Sequence, residues 1–134
     1  MPGGPTNGED RILIVDDDPA TLLALPALLR THFPNAVIQT ASNATIALGL
    51  IRDYRYRLVL LDVRMPGMDG LALLREVSEL LGSAKVIVMT GVIDDNLEGE
   101  ALKVGAHAVL QKPVLPDVLI AMIHASMKDH SVES

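Results

Sequence analysis

Ile12-Leu13-Ile14-Val15-Asp16-Asp17-Asp18-Pro19 runs from four aliphatic residues straight into three acids and a proline. A short Val/Ile/Leu run of this kind suits a strand buried on both faces, as in a parallel sheet. Asp18-Pro19 then reads as a helix start, an N-cap acid followed by proline at the first helical position. The stretch is a strand-to-helix junction with its acids at the C-terminal end of the strand. Three more apolar runs end in residues that a phosphate or metal site could use: Leu58 to Leu61 before Asp62, Val86 to Met89 before Thr90, and Val109-Leu110 before Gln111-Lys112-Pro113. Parallel strands put all four endings on one edge of a sheet, and ligands bind at that edge in open α/β sheets.

The intervening segments carry helical spacing. Leu22, Leu25, Leu28 and Leu29 form the stripe of a first helix, with Pro26 expected to kink or break it. Ala36 to Thr40 reads as a second strand, followed by a helix capped at Ser42 or Asn43 and running to about Asp53. Pro66-Gly67-Met68-Asp69-Gly70 is a turn before a helix whose core face is expected to be Leu71, Leu74, Val77, Leu80 and Leu81, ended by Gly82. Lys85 to Thr90 is a fourth strand, and a helix from about Asp95 to Val104 stops at Gly105. Ala108 to Gln111 is a fifth strand, and the last helix starts near Pro116-Asp117. Five β-α units imply a doubly wound parallel sheet with helices on both faces, too few units for an eight-stranded barrel. The expected divisions are a flexible leader over residues 1–10, one domain over 11–128 and a polar tail over 129–134.

Composition narrows the function. At 134 residues and 49% hydrophobic content the chain suits a single soluble domain. No cysteine is present, which excludes disulfides, thiolate metal sites and a thiol nucleophile and suits the cytoplasm. A formal net charge of -6 argues against nucleic acid binding by this chain, and no apolar stretch is long enough to span a membrane.

The convergent residues suggest phosphate chemistry. Two carboxylates about 5 Å apart repel by about 3 kcal/mol at an effective dielectric of about 20, so a cluster of Asp16, Asp17 and Asp62 calls for a cation or a proton. All-oxygen ligands with room for water point to Mg²⁺. Thr90 supplies a hydroxyl, Gly91 a backbone that an anion can approach, and Lys112 an ammonium held by the turn at Pro113. Within such a site Asp62 would be the nucleophile, forming an aspartyl phosphate. Asp18 reads as a cap.

Ile12 to Pro19, Leu60-Leu61-Asp62-Val63-Arg64-Met65-Pro66-Gly67-Met68-Asp69-Gly70, Val88-Met89-Thr90-Gly91 and Lys112-Pro113 together resemble the receiver domain of bacterial two-component response regulators. The likeness extends from about Arg11 to Lys128. It implies a flavodoxin-like (βα)5 fold with strand order 2-1-3-4-5. It further implies that Asp62 takes a phosphoryl group from a sensor histidine kinase, a phosphotransfer domain or a small phosphodonor, without the chain being a turnover enzyme. By the same resemblance Asp17 binds Mg²⁺ directly, Asp16 directly or through water, and Asp62 with the Arg64 backbone carbonyl completes the protein ligands, Mn²⁺ being able to substitute. Thr90 and Lys112 would contact the phosphoryl oxygens. Output would pass to a downstream protein or a fused domain, with a phosphorylation-dependent homodimer as one route.

Two departures from that pattern matter. Many receivers carry an aromatic residue in the fifth strand that moves with the threonine, and Val109 stands there instead. By the resemblance, Arg64 and Val92 occupy positions that in this family tune hydrolysis, and an apolar Val92 with a bulky Arg64 predicts a long-lived aspartyl phosphate. Other readings fare less well: an aspartate-nucleophile phosphatase expects Asp-x-Asp-x-Thr or Val where Asp16-Asp17-Asp18-Pro19-Ala20 stands, and a flavin carrier expects a phosphate loop where three acids would repel phosphate. A receiver-like interaction module that no longer accepts phosphate remains as the alternative.

Overall fold

The computed structural model describes residues 10–65, 68–91 and 95–132. Strands β1 (Asp10–Val15), β2 (Ala36–Ala41), β3 (Leu58–Asp62), β4 (Lys85–Thr90) and β5 (Ala108–Gln111) form one parallel sheet. Their spatial order is β2-β1-β3-β4-β5, the flavodoxin-like order expected. Helices α1 (Pro19–His32), α2 (Ala44–Asp53), α3 (Gly70–Leu81), α4 (Asp95–Lys103) and α5 (Pro116–Val132) connect and follow them. A separate two-residue ribbon pairs Arg64–Met65 with Met68–Asp69 ahead of α3.

Alternation along the strands builds two cores, because successive side chains point to opposite faces. Leu13, Val15, Val59, Leu61, Val86 and Val88 pack with α2, α3 and α4 on one face. Ile12, Ile14, Leu58, Leu60, Ile87 and Met89 pack with α1 and α5 on the other. Near-complete burial of each such side chain contributes about 1.5–3 kcal/mol. This is why the runs contain no polar residue until the strands end.

Local signals set most boundaries. Asp18 caps α1, its Oδ1 accepting from the Ala20 amide at 3.0 Å, and Asn43 caps α2, accepting from Ile46 at 2.8 Å. At the end of α4, Ala106 N–H reaches the Ala101 carbonyl at 2.9 Å and Gly105 N–H the Leu102 carbonyl at 3.2 Å. That paired closure needs a left-handed residue, and Gly105 supplies it at φ 115°.

Two expectations are corrected. Helix α1 is continuous through Pro26, which is buried with Leu29 on the sheet-facing side; packing there offsets the one hydrogen bond proline cannot make. The α3 core face includes Leu73 with Leu71, Leu74 and Val77, whereas Leu80 is 54% exposed because it lies at the margin of the stripe in the last turn. Helix α5 spans Pro116–Val132 and β1 begins at Asp10.

Gly49 lies exposed inside α2, and an added Cβ there meets nothing within 4 Å. Gly49→Ala is expected to stabilise the domain by about 0.5–1 kcal/mol through helix propensity alone, checked by urea denaturation. At the opposite edge of the sheet from the acids, the Tyr56 hydroxyl donates to Gln39 Oε1 at 2.6 Å. Burial, opposed by the nearby Arg11 guanidinium, pushes the Tyr56 phenol up to about 12. An unfolded tyrosine loses its proton near pH 10, so the folded state holds a proton that the unfolded state has shed, and stability should fall as pH rises from about 10 to 12. Ultraviolet titration should show a phenolate component near pH 12 that Tyr56→Phe removes.

Candidate phosphoacceptor site

Register assembles the site. Val15 pairs with Leu61, so Asp16 and Asp62 leave neighbouring strands side by side at the point where strand order reverses. Asp62 pairs with Met89, which puts Thr90 one step further on, and Thr90 pairs with Gln111, which delivers Lys112. The Lys112 amide donates to the Thr90 carbonyl at 2.7 Å, and the Lys112-Pro113 bond is cis.

The charges interlock. Asp16 is fully buried and Asp62 is 4% exposed, while Asp17 is exposed. Lys112 Nζ donates to Asp16 Oδ2 at 2.8 Å and to Asp62 Oδ2 at 3.3 Å. Burial disfavours the ammonium, but its hydrogen bond and attraction to Asp16, and then to Asp62, outweigh that and raise the Lys112 pKa above its ordinary value. The other Asp16 oxygen accepts from the Asp18 backbone amide at 2.9 Å. Carboxylate oxygens of Asp16, Asp17 and Asp62 all lie within 4.8 Å of one another. A cation with metal–oxygen bonds of about 2.1 Å keeps its ligands about 3–4 Å apart, so a small closure of these three would hold one.

The structure thus brings together Asp16, Asp17, Asp62, Thr90 and Lys112. Thr90 is fully buried. Gly91 is exposed, and an added Cβ would meet nothing within 4 Å, so no protein neighbour requires glycine there. The Arg64 backbone lies in the short ribbon just after β3. Val92 lies outside the described residues. Val109 pairs with Val88 and packs, partly buried, on the α2–α4 face. The Phe and Tyr rings of the chain lie elsewhere: Phe33 sits 4.6 Å from the His124 ring, and Tyr54 and Tyr56 lie at the opposite sheet edge, with Arg11 over the Tyr54 ring at 4.4 Å.

Two contributors escape a reading of the sequence. The Asp18 amide holds Asp16 in place, whereas the sequence marks Asp18 only as a cap. Gly70 reads in sequence as turn chemistry, yet it is buried where α3 meets the end of β3.

Residues 12–124 match the family profile described as the response regulator receiver domain. The chain belongs to this family. Among curated proteins, the receiver is 38% identical over 124 residues to the transcriptional regulatory protein ZraR of Escherichia coli strain K12, covering 92% of this chain and 28% of that protein. It is 37% identical over 114 residues to the transcriptional regulatory protein FixJ of Azorhizobium caulinodans, covering 85% and 53% respectively. The chain therefore spans from about a quarter to about half of the length of these relatives. The crystal structure of a CheY-like response regulator receiver domain protein from Methanospirillum hungatei JF-1 superposes with a TM-score of 0.86 at 32% identity, covering 94% of this receiver and 99% of that chain. The receiver is a module of two-component phosphorelay signal transduction. No described helix is long and apolar enough to cross a membrane.

Proposed function

We propose that this receiver accepts a phosphoryl group on Asp62 in a Mg²⁺-dependent reaction and hands the signal on through a protein surface. The observation that carries this reading is the Lys112 ammonium set between two buried carboxylates, with Asp17 completing an oxygen cluster fit for a hard cation.

Asp16, Asp17, Asp62 and the Arg64 backbone carbonyl would hold Mg²⁺, with Mn²⁺ as substitute; when bound, the ion offsets the charge of the incoming phosphoryl oxygens. A carboxylate oxygen of Asp62 attacks phosphorus, an O–P bond forms, and the P–N bond of a donor phosphohistidine breaks with its electron pair returning to nitrogen. Lys112 neutralises the charge that builds on the transferring group, and Thr90 and the Gly91 backbone receive a phosphoryl oxygen. Water later attacks phosphorus, releasing phosphate and restoring the carboxylate. The donor, a sensor histidine kinase or phosphotransfer domain, must reach Asp62 from the open edge. An apolar cleft of about 500 Å³ beside Lys112, lined by Leu25, Leu28, Met89, Val114, Pro116 and Leu119, offers it a seat. As the relatives are transcriptional regulators, the output is a fused domain or a downstream protein, with a homodimer of phosphorylated receivers as one route. The working compartment is the cytoplasm, and the chain itself is not a turnover enzyme.

The test is mass spectrometry after treatment with acetyl phosphate or beryllofluoride. One adduct per chain should appear with Mg²⁺ and be absent with a chelator, and an unmodified chain in both cases would defeat the reading.

Once formed, the aspartyl phosphate should be long-lived, because Arg64 and Val92 offer attacking water no carboxamide or carboxylate to orient it. An Arg64→Asn, Val92→Glu double variant is expected to shorten the lifetime about a hundredfold, the lower end of what general acid-base groups contribute. Equal decay of phosphorylated parent and variant would sink this idea.

A further inference from the structure

Gly70 opens α3 and is buried. A Cβ placed on it would lie 2.5 Å from Val63 Cα and 2.7 Å from the Asp62 carbonyl oxygen. Both neighbours are main chain, so no rotamer change makes room. Gly70 is not among the glycines with positive φ, which are Gly82 and Gly105. Space rather than backbone conformation demands glycine here. By contrast Gly49, Gly91 and Gly99 have nothing within 4 Å of an added Cβ.

That space is used to grip the phosphoacceptor's own peptide. The Gly70 amide donates to the Val63 carbonyl at 3.0 Å, and the Val63 amide donates to the Met89 carbonyl at 3.2 Å. The main chain leaving Asp62 is thus held from one side by β4 and from the other by the first residue of α3. The Asp62 side chain projects from that clamped segment to meet Lys112 at 3.3 Å.

The geometry points to Gly70 as a positioning residue for phosphoryl acceptance: by letting α3 close onto the Asp62–Val63 peptide, it fixes the Asp62 carboxylate against Asp16, Asp17 and Lys112. The inference rests on Asp62 being the phosphoacceptor. A side chain at position 70 must push α3 and the end of β3 apart, and a misplacement of about 1 Å suffices to cost about 10²-fold in a reaction that depends on alignment.

The test uses the full chain in a Gly49→Ala background, which offsets lost stability at a site far from Asp62. Gly70→Ala is compared there with Leu71→Ala, which empties a neighbouring core position 5% exposed. Calorimetry gives Mg²⁺ affinity, urea gives stability, and acetyl phosphate gives the rate of adduct formation. Gly70→Ala should lose about 10- to 100-fold in Mg²⁺ affinity, as removal of a supporting contact does, with a comparable loss of rate. Leu71→Ala should lose stability while keeping Mg²⁺ affinity within about twofold, well short of that range. Parent-like affinity in Gly70→Ala, or equal losses in both variants, overturns the proposal. Failure of Gly70→Ala to fold even in this background also overturns it, since the contact would then serve the fold and not Asp62. A background protein that takes no adduct defeats the assignment of Asp62 itself, and this is seen before any variant is compared.

Discussion

Asp62→Asn should abolish adduct formation from both acetyl phosphate and beryllofluoride in the presence of Mg²⁺, with the domain still folded. Under the proposed function the amide would lack the anionic oxygen that attacks phosphorus and would be a weak metal ligand in the same volume. Asp16 is the less accessible of the two neighbouring acids. Asp16 is fully buried and both of its oxygens are engaged, one by the Asp18 amide and one by Lys112. Folding should survive because the carboxamide oxygen can still accept from Lys112, and removing one of two carboxylates beside a single ammonium relieves repulsion. Intact-mass measurement on both proteins checks the first statement and urea denaturation the second. An adduct of undiminished yield on the Asp62→Asn protein would assign the acceptor elsewhere.

Lys112→Ala should have two separable effects. The rate of phosphoryl uptake at saturating Mg²⁺ should drop by about 10²-fold, the usual loss when one preorganised charge is removed from a transfer site. In metal-free buffer stability should fall by about 2 kcal/mol, less than for a fully enclosed ion pair because the lysine side chain is 28% exposed. Mg²⁺ should recover much of that stability, since it neutralises the same two carboxylates and binds only the folded chain. Lys112→Met, which keeps the apolar stem, isolates the charge from the packing. A stability loss equal with and without Mg²⁺ would show that the ammonium and the metal do not share a site. The raised Lys112 pKa gives the sign of the pH effect: its contribution is complete below about pH 10.4, the unfolded value, and is lost as pH rises through the folded one.

The signal's exit follows from where the rings lie. With Val109 packed beside Val88 and no ring at the Asp62 edge among the described residues, the proposed function would leave coupling to the main chain. The Lys112 amide bound to the Thr90 carbonyl is one direct link, because a shift of Thr90 toward a phosphoryl group must move the start of the β5–α5 connection.

Much of this was legible from local order alone. Aliphatic runs gave the strands, Asp18-Pro19 and the Ser42-Asn43 pair gave helix starts, and Gly82 and Gly105 gave stops, because periodicity, capping and left-handed turns act within a few residues. The residue types at the strand ends likewise named Asp16, Asp17, Asp62, Thr90 and Lys112 as a set. Only the tertiary structure decided how that set meets: the pairing of Val15 with Leu61 sets Asp16 beside Asp62, and the turn after β5 swings Lys112 between them. It also decided that Pro26 stays helical, that Leu73 rather than Leu80 enters the core, and that Gly70 must lack a side chain. These depend on which surfaces come into contact across long stretches of chain. Burial and steric exclusion there outweigh the local preferences that a sequence displays.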